Sequence, residues 1–219
     1  LGEGGAGKTR LALHVATAEV DRFIDGVFFV DLAPLSPGAE ITSRLAEVLG
    51  VQGGVDELTA ALASREVLLV VDNCEHVVEP AAALLARLLS ECGALRVLAT
   101  SRAALDLPGE ARYQVPPLDV PRPGADLREA EASAAVQLLT ARAGLVRPGF
   151  RLGQRDLAAI VELCTRLDGL PLAIELAAAR LRGMSLEELI AGIDDRFGVL
   201  IGGPRSVPER QQTLRNTMD

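Results

Sequence analysis

At 219 residues, 49% hydrophobic and 24% charged, the chain is long enough for one large domain, or for a core domain with a smaller neighbour, around a packed interior. A formal net charge of −8 argues against direct binding of nucleic acid, because duplex affinity comes from Lys and Arg neutralising phosphates. Three scattered cysteines, Cys74, Cys92 and Cys164, offer neither a disulfide framework nor a metal spacing, and no apolar run reaches membrane-spanning length.

Those cysteines read as small buried hydrophobes in a reducing, cytoplasmic setting. With only 3% aromatics and no Trp, the core is expected to be Leu, Val, Ile and Ala. Arg205, Arg210 and Arg215 form the nearest thing to a basic patch and read as a solvated face. The chain lacks a starting Met and opens inside a motif that normally follows a buried strand, so an upstream cut is expected.

The opening LGEGGAGKTR has four glycines in its first seven residues. Gly2–Thr9 matches the pattern G-x-x-x-x-G-K-[ST], which should arise by chance in only about one chain in a hundred of this length. Glycines without Cβ let main-chain N–H groups curl around phosphate oxygens, and the helix that follows points its positive end at the same place. Gly2, Gly4, Gly5, Ala6, Gly7, Lys8, Thr9 and Arg10 are therefore the expected cradle. Lys8 would reach the terminal phosphates and the Thr9 hydroxyl would ligate Mg²⁺.

In the helix after the loop, Leu11 and Val15, with Ala12 and Ala16 more loosely, fall on one face at helical spacing. Gly26–Leu32 reads as a buried strand, about 40–49 as a helix stopped by Gly50, and about 57–63 as a short helix. His14, on the first helix, receives no chemical role. Arg65–Asn73 is a continuous apolar strand, as parallel sheets require. It delivers Asp72 to the carboxyl edge, where ligands lie in open α/β sheets, and Asp72 is the expected partner of Thr9 on the metal.

Asn73 follows in a slot where many ATPases carry a carboxylate; it can orient a water but cannot take its proton near neutral pH. Glu75 could substitute if its loop turns inward, and is otherwise a loop carboxylate. His76 reads as a structural hydrogen-bonding residue. A helix with Pro80 in its first turn ends at Gly93, and Leu95–Arg102 is a further buried strand. Arg102, emerging from its end, could read a terminal phosphate. Ala111–Leu118 reads as a shorter strand.

The Pro- and Gly-bearing stretch Asp119–Asp126 marks a boundary, and the rest reads helical. The expected helices cover about 129–143, about 155–167, one from Pro171 and one from Ser185, where Glu188 completes a capping box. The domains are thus 1–120, an α/β core, and 121–219, a helical domain.

With its motifs in this order, the chain resembles the NB-ARC-type (STAND class, AP-ATPase) ATPase domain of large bacterial LuxR-type and SARP-type transcriptional regulators. The likeness rests on GEGGAGKTRLA, VFFVDLAPL, LLVVDNCEH, RVLATSR, LDGLPLAIELAAARLR and RQQTLRNTMD. It implies a P-loop NTPase three-layer parallel sheet, its first strand truncated to Leu1, followed by a small all-helical domain and the start of a linker to a winged-helix region. It implies ATP/ADP and Mg²⁺ as ligands, with Gly2, Gly7, Lys8 and Thr9 as the phosphate loop, Asp72 as the metal acid and Arg102 as a sensor. Pro171, from its residue type alone a helix start, would pack against adenosine in the family's GxP motif.

The implied activity is a weak Mg-dependent ATPase acting as a switch, with flanking DNA-binding and sensor domains and a homo-oligomer on activation. The alternatives are a P-loop enzyme passing phosphate to a small acceptor and a nucleotide-binding scaffold without turnover. A phosphotransferase would need a basic lid, which the sequence does not offer, and a guanine-reading Asn-Lys-x-Asp element is absent.

Overall fold

The structure is a computed structural model that describes residues 1–36 and 40–193. Arg205, Arg210, Arg215 and the closing RQQTLRNTMD lie outside the described residues. Contacts divide the chain into two units. Unit 1 holds Leu1–Gly2 and Lys8–Val115; unit 2 holds Glu3–Gly7 and the chain from Pro116 onward.

Unit 1 is an α/β layer structure on a parallel sheet. Strands β1 (Val27–Asp31), β2 (Leu68–Asp72) and β3 (Arg96–Ala99) lie in that order, with Asp31 opposite Asp72 and Val71 opposite Ala99. The unalternating apolar run of β2 has a simple cause: all five of its residues are buried, because both faces are covered. Leu69 and Val71 pack with α2 (Ile41–Leu49), α3 (Val55–Leu62) and α4 (Val78–Glu91). Leu68 and Val70 pack with Ala12 and Ala16 of α1 (Lys8–Ala18). Gly50 stops α2 as expected, at φ 66° with its N–H on Ala46 O and Glu47 O.

Two expectations change here. On α1 the buried pair is Ala12 and Ala16, while Leu11 and Val15 are exposed. The small alanines let the helix lie against the sheet, and the adjacent row with the larger residues borders a groove beside β3. The Ala111–Leu118 strand does not form. Pro116 and Pro117 have no N–H to give a ladder, and the stretch makes isolated backbone bonds instead: the Leu1 nitrogen donates to Tyr113 O at 2.7 Å, Val115 N to Leu1 O at 2.8 Å and Leu118 N to Gly169 O at 2.9 Å.

The helices of unit 2 are α5 (Leu127–Ala132), α6 (Ala134–Val146), α7 (Leu157–Arg166), α8 (Pro171–Arg180) and α9 (Leu186–Ile193). The single helix expected over about 129–143 is broken at Ser133, which takes an extended conformation and donates its hydroxyl to Asp119 O at 2.6 Å. On α7 the face Leu157, Ile160, Val161, Cys164 and Leu167 is buried, as the periodicity predicts. Ile160, Cys164 and Leu167 meet Leu139 and Ala143 of α6 and Ile174, Ala177 and Ala178 of α8 in one core, while Leu157 and Val161 pack with Ala130 of α5. Arg142 donates to Glu175 Oε1 through Nε at 3.0 Å and a terminal nitrogen at 2.8 Å, linking α6 to α8. The capping box of α9 closes both ways: Ser185 N to Glu188 Oε2 at 2.8 Å and Glu188 N to Ser185 Oγ at 3.2 Å.

All three cysteines are buried and reduced, and burial pushes the Cys74 and Cys164 thiols up to about 12. No described helix is long and apolar enough to cross a membrane.

Candidate functional site

The carboxyl edge of the sheet in unit 1 gathers most of the residues singled out above. Asp72 ends β2 and is only 2% exposed. A buried carboxylate needs donors, and it has two hydroxyls on one oxygen: Thr9 Oγ1 at 2.8 Å and Thr100 Oγ1 at 2.6 Å both donate to Asp72 Oδ1. Thr100 in turn accepts from Asn73 N at 3.0 Å, while its carbonyl accepts from Cys74 N at 3.0 Å. The loop after β2 is thereby tied to the end of β3.

Lys8 stands in the same unit, its Nζ donating to Gly2 O at 2.8 Å. Burial pulls its pKa below the ordinary 10.5; the negative charges of Glu75 and Asp72 oppose that, and the positive charge of Arg102 adds to it. Lys8, Asp72, Glu75 and Arg102 therefore share one electrostatic neighbourhood. Arg102 is exposed there, and Arg10 is exposed on α1.

The residues after Asp72 divide clearly. Asn73 adopts the left-handed conformation, φ 67° and ψ 51°, and its side-chain nitrogen lies 3.4 Å from His76 Nδ1. His76 Nε2 lies 2.9 Å from Leu32 O, so a proton on Nε2 satisfies both contacts and leaves Nδ1 to accept from Asn73. His76 thus pins the loop to the end of β1, the structural role its sequence suggested. Glu75 is different: its Oε2 is buried and has no hydrogen-bond partner among the described residues.

In the glycine segment, Gly5 and Gly7 take φ 80° and 93°, a region that favours glycine. Within unit 2, Leu172 N donates to Gly5 O at 3.2 Å, and a Cβ on Gly5 would stand 2.8 Å from Leu172 Cβ. A Cβ on Gly7 would stand 3.9 Å from Pro171 Cγ. Pro171 opens α8 and is half-buried. Gly2 and Ala6 are buried, and Ala6 N donates to Glu3 O at 3.3 Å.

Thr100, to which no sequence motif gives a role, is the further member of this site. The available signal was a hydroxyl one residue past a strand that pairs with β2, since the Val71–Ala99 register sets Thr100 beside Asp72. Asp31, opposite Asp72 in the β1–β2 register, was also passed over; its Oδ1 accepts from Ala33 N at 2.9 Å and holds the turn after β1. No group of three or more His, Cys, Asp or Glu side chains capable of holding a metal occurs among the described residues. The Thr9–Asp72 pair supplies one hydroxyl and one carboxylate, the sparse donor set that suits Mg²⁺, which keeps most of its own water.

No protein-family model matches the chain. It is similar to an HTH-type transcriptional regulator of Mycobacterium tuberculosis, 42% identical over 223 residues that cover 100% of this chain and 24% of that protein. An uncharacterized protein of the same organism is 36% identical over 222 residues, 99% of this chain and 54% of its own length. The regulatory protein AfsR of Streptomyces griseus is 31% identical over 194 residues, 82% of this chain and 18% of that protein. The chain thus spans about a quarter of the first relative, and two of these three carry the names of regulators.

Proposed function

We propose that the chain is an adenine-nucleotide-binding switch module with a P-loop NTPase core, part of a larger transcriptional regulator. The observation that carries this reading is the hydrogen bond from Thr9 to Asp72 beside Lys8. It joins the two halves of a phosphate- and magnesium-binding pattern that are far apart in sequence. The Thr9–Asp72 donor set and the half-buried Lys8 fit a polyphosphate with its metal, and the glycine segment supports the same reading through its sequence pattern. Regulator names among the relatives support the setting.

In this reading Lys8, now bonded to Gly2 O, is the residue that would hold phosphate oxygens, and Thr9 and Asp72 are those that would hold Mg²⁺. The bound metal would supply charge neutralisation at the phosphates. Arg102, exposed and close enough to act on Lys8, would report the presence of the last phosphate. Glu75 takes the water-orienting role rather than Asn73, because its oxygen is unclaimed while the Asn73 amide is committed to His76. Pro171 would offer its ring to adenosine. Hydrolysis is slow, and ATP and ADP act by favouring different conformations through different affinities for them.

The test is calorimetric titration with ATP and ADP, with and without Mg²⁺. Binding that needs Lys8 is expected, and Lys8→Ala should abolish it. Unchanged affinity in that variant would remove the assignment. Rapid multiple-turnover transfer to an acceptor would replace the switch by a phosphotransferase.

A further inference from the structure

The first turn of α8 has N–H donors to place and no side chain of its own to receive them. Leu170, at the N-cap, carries no side-chain oxygen, and Pro171 has no N–H, so Leu172 N is the first donor of the helix. Its acceptor lies far away in the chain: Leu172 N donates to Gly5 O at 3.2 Å. The segment Glu3–Gly7 accordingly clusters with unit 2, although its neighbours in sequence, Gly2 and Lys8, cluster with unit 1.

The same residue closes the space beside Gly5. A Cβ built there would stand 2.8 Å from Leu172 Cβ, 3.3 Å from Cδ2 and 3.6 Å from Cγ, so the Leu172 side chain fills the place a larger residue would need. Gly5 is thus held twice, by a hydrogen bond to its carbonyl and by packing on its open side. Because a peptide is planar and trans, fixing the Gly5 carbonyl also fixes the Ala6 N–H, which points the opposite way. That N–H donates to Glu3 O at 3.3 Å, longer than the usual distance of about 2.9–3.0 Å. It is held loosely enough to pass to a stronger, charged acceptor such as a phosphate oxygen.

We infer that Leu172 is the positioning residue of the glycine segment, and that affinity for a polyphosphate depends on it through Gly5. The inference rests on the reading of that segment as a phosphate loop. The first turn of α8 keeps the Gly5–Ala6 peptide with its carbonyl to the helix and its N–H on the other side, free for a ligand oxygen. A loop already held in that shape does not have to order itself on binding, which raises affinity. The effect falls on the polyphosphate chain whatever base it carries, and so differs from the contact with adenosine proposed for Pro171.

Tripolyphosphate with Mg²⁺, which has no base for Pro171 to meet, is the probe. Calorimetric titrations compare the 219-residue chain with its Leu172→Met, Leu172→Ala and Leu172→Gly variants. Leu172→Met keeps the reach of the side chain and should bind as the wild type does. Affinity should fall in Leu172→Ala and fall further, by about tenfold or more, in Leu172→Gly. Without any ligand, amide exchange at position 172 should quicken in the same order, because Gly5 O is then less firmly held. Equal affinities across the series overturn the inference, as does a loss of affinity that only follows a loss of thermal midpoint. A wild-type chain that binds neither tripolyphosphate nor ATP gives a different result, overturning the phosphate-loop reading and this inference together.

Discussion

Thr9 and Asp72 lie 63 positions apart in the chain, and the Thr9 hydroxyl donates to Asp72 Oδ1 at 2.8 Å. Thr100 donates to the same oxygen from the neighbouring strand end. The carboxylate is therefore held by α1 and β3 at once, which aims it without any further ligand. That arrangement gives the first prediction. Asp72→Ala strands the buried Thr100 hydroxyl and should cost about 1–3 kcal/mol in a urea titration followed at the sheet. Asp72→Asn keeps one acceptor oxygen and should cost less. Equal losses would mean that the hydroxyls find other partners.

The state of Lys8 sets a pH dependence. Burial lowers its pKa from 10.5, so between that lowered value and 10.5 the unfolded chain holds the proton more tightly. Stability gained through this group therefore rises with pH across that window. Phosphate binding runs the other way, because it needs the ammonium. Affinity for ATP should fall as pH climbs through the lowered value, earlier than for an ordinary lysine. The slope is to be measured by titrations between neutral pH and 10.5; its persistence in Lys8→Ala would assign it to another group.

Glu75 and Asn73 make distinguishable predictions. Glu75→Gln should slow hydrolysis by about a hundredfold or more, the usual worth of a positioned acid–base group, with ADP affinity changed less than twofold. Asn73→Ala should slow it by less than tenfold, since its amide serves the loop through His76. The reverse ranking, read in single-turnover assays, would transfer the role to Asn73.

Gly169 tests the helical unit. It sits at φ 65°, and a Cβ there would stand 2.2 Å from Leu118 O, a backbone atom that cannot swing aside. Its own carbonyl accepts from Leu118 N at 2.9 Å, so the two segments are locked together. Gly169→Ala should lose well over the roughly 1–2 kcal/mol of the left-handed conformation alone. Gly183, with nothing within 4 Å of its would-be Cβ, is the control, and Gly183→Ala should be close to neutral. Similar thermal midpoints for the two variants would refute the packing argument.

What the sequence determined by itself was whatever is written in residues close along the chain. The three strands, the Gly50 stop, the buried face of α7 and the Ser185–Glu188 cap depend on spacings of two to four positions, and all are present. The glycine, lysine, threonine and aspartate of the candidate site were legible for the same reason: each sits at a marked place in its own element.

Only the tertiary structure decided which of two adjacent rows on α1 meets the sheet, because Ala12 and Leu11 share the same periodicity and differ only in how closely β2 can approach. It also decided the place of Thr100, the His76 contact that Asn73 makes and Glu75 Oε2 does not, and the failure of the 111–118 strand. Each of these hangs on the register between strands or on a partner far away in the chain. A hydrogen bond is satisfied by whatever the fold brings within reach, and local propensity carries no record of that.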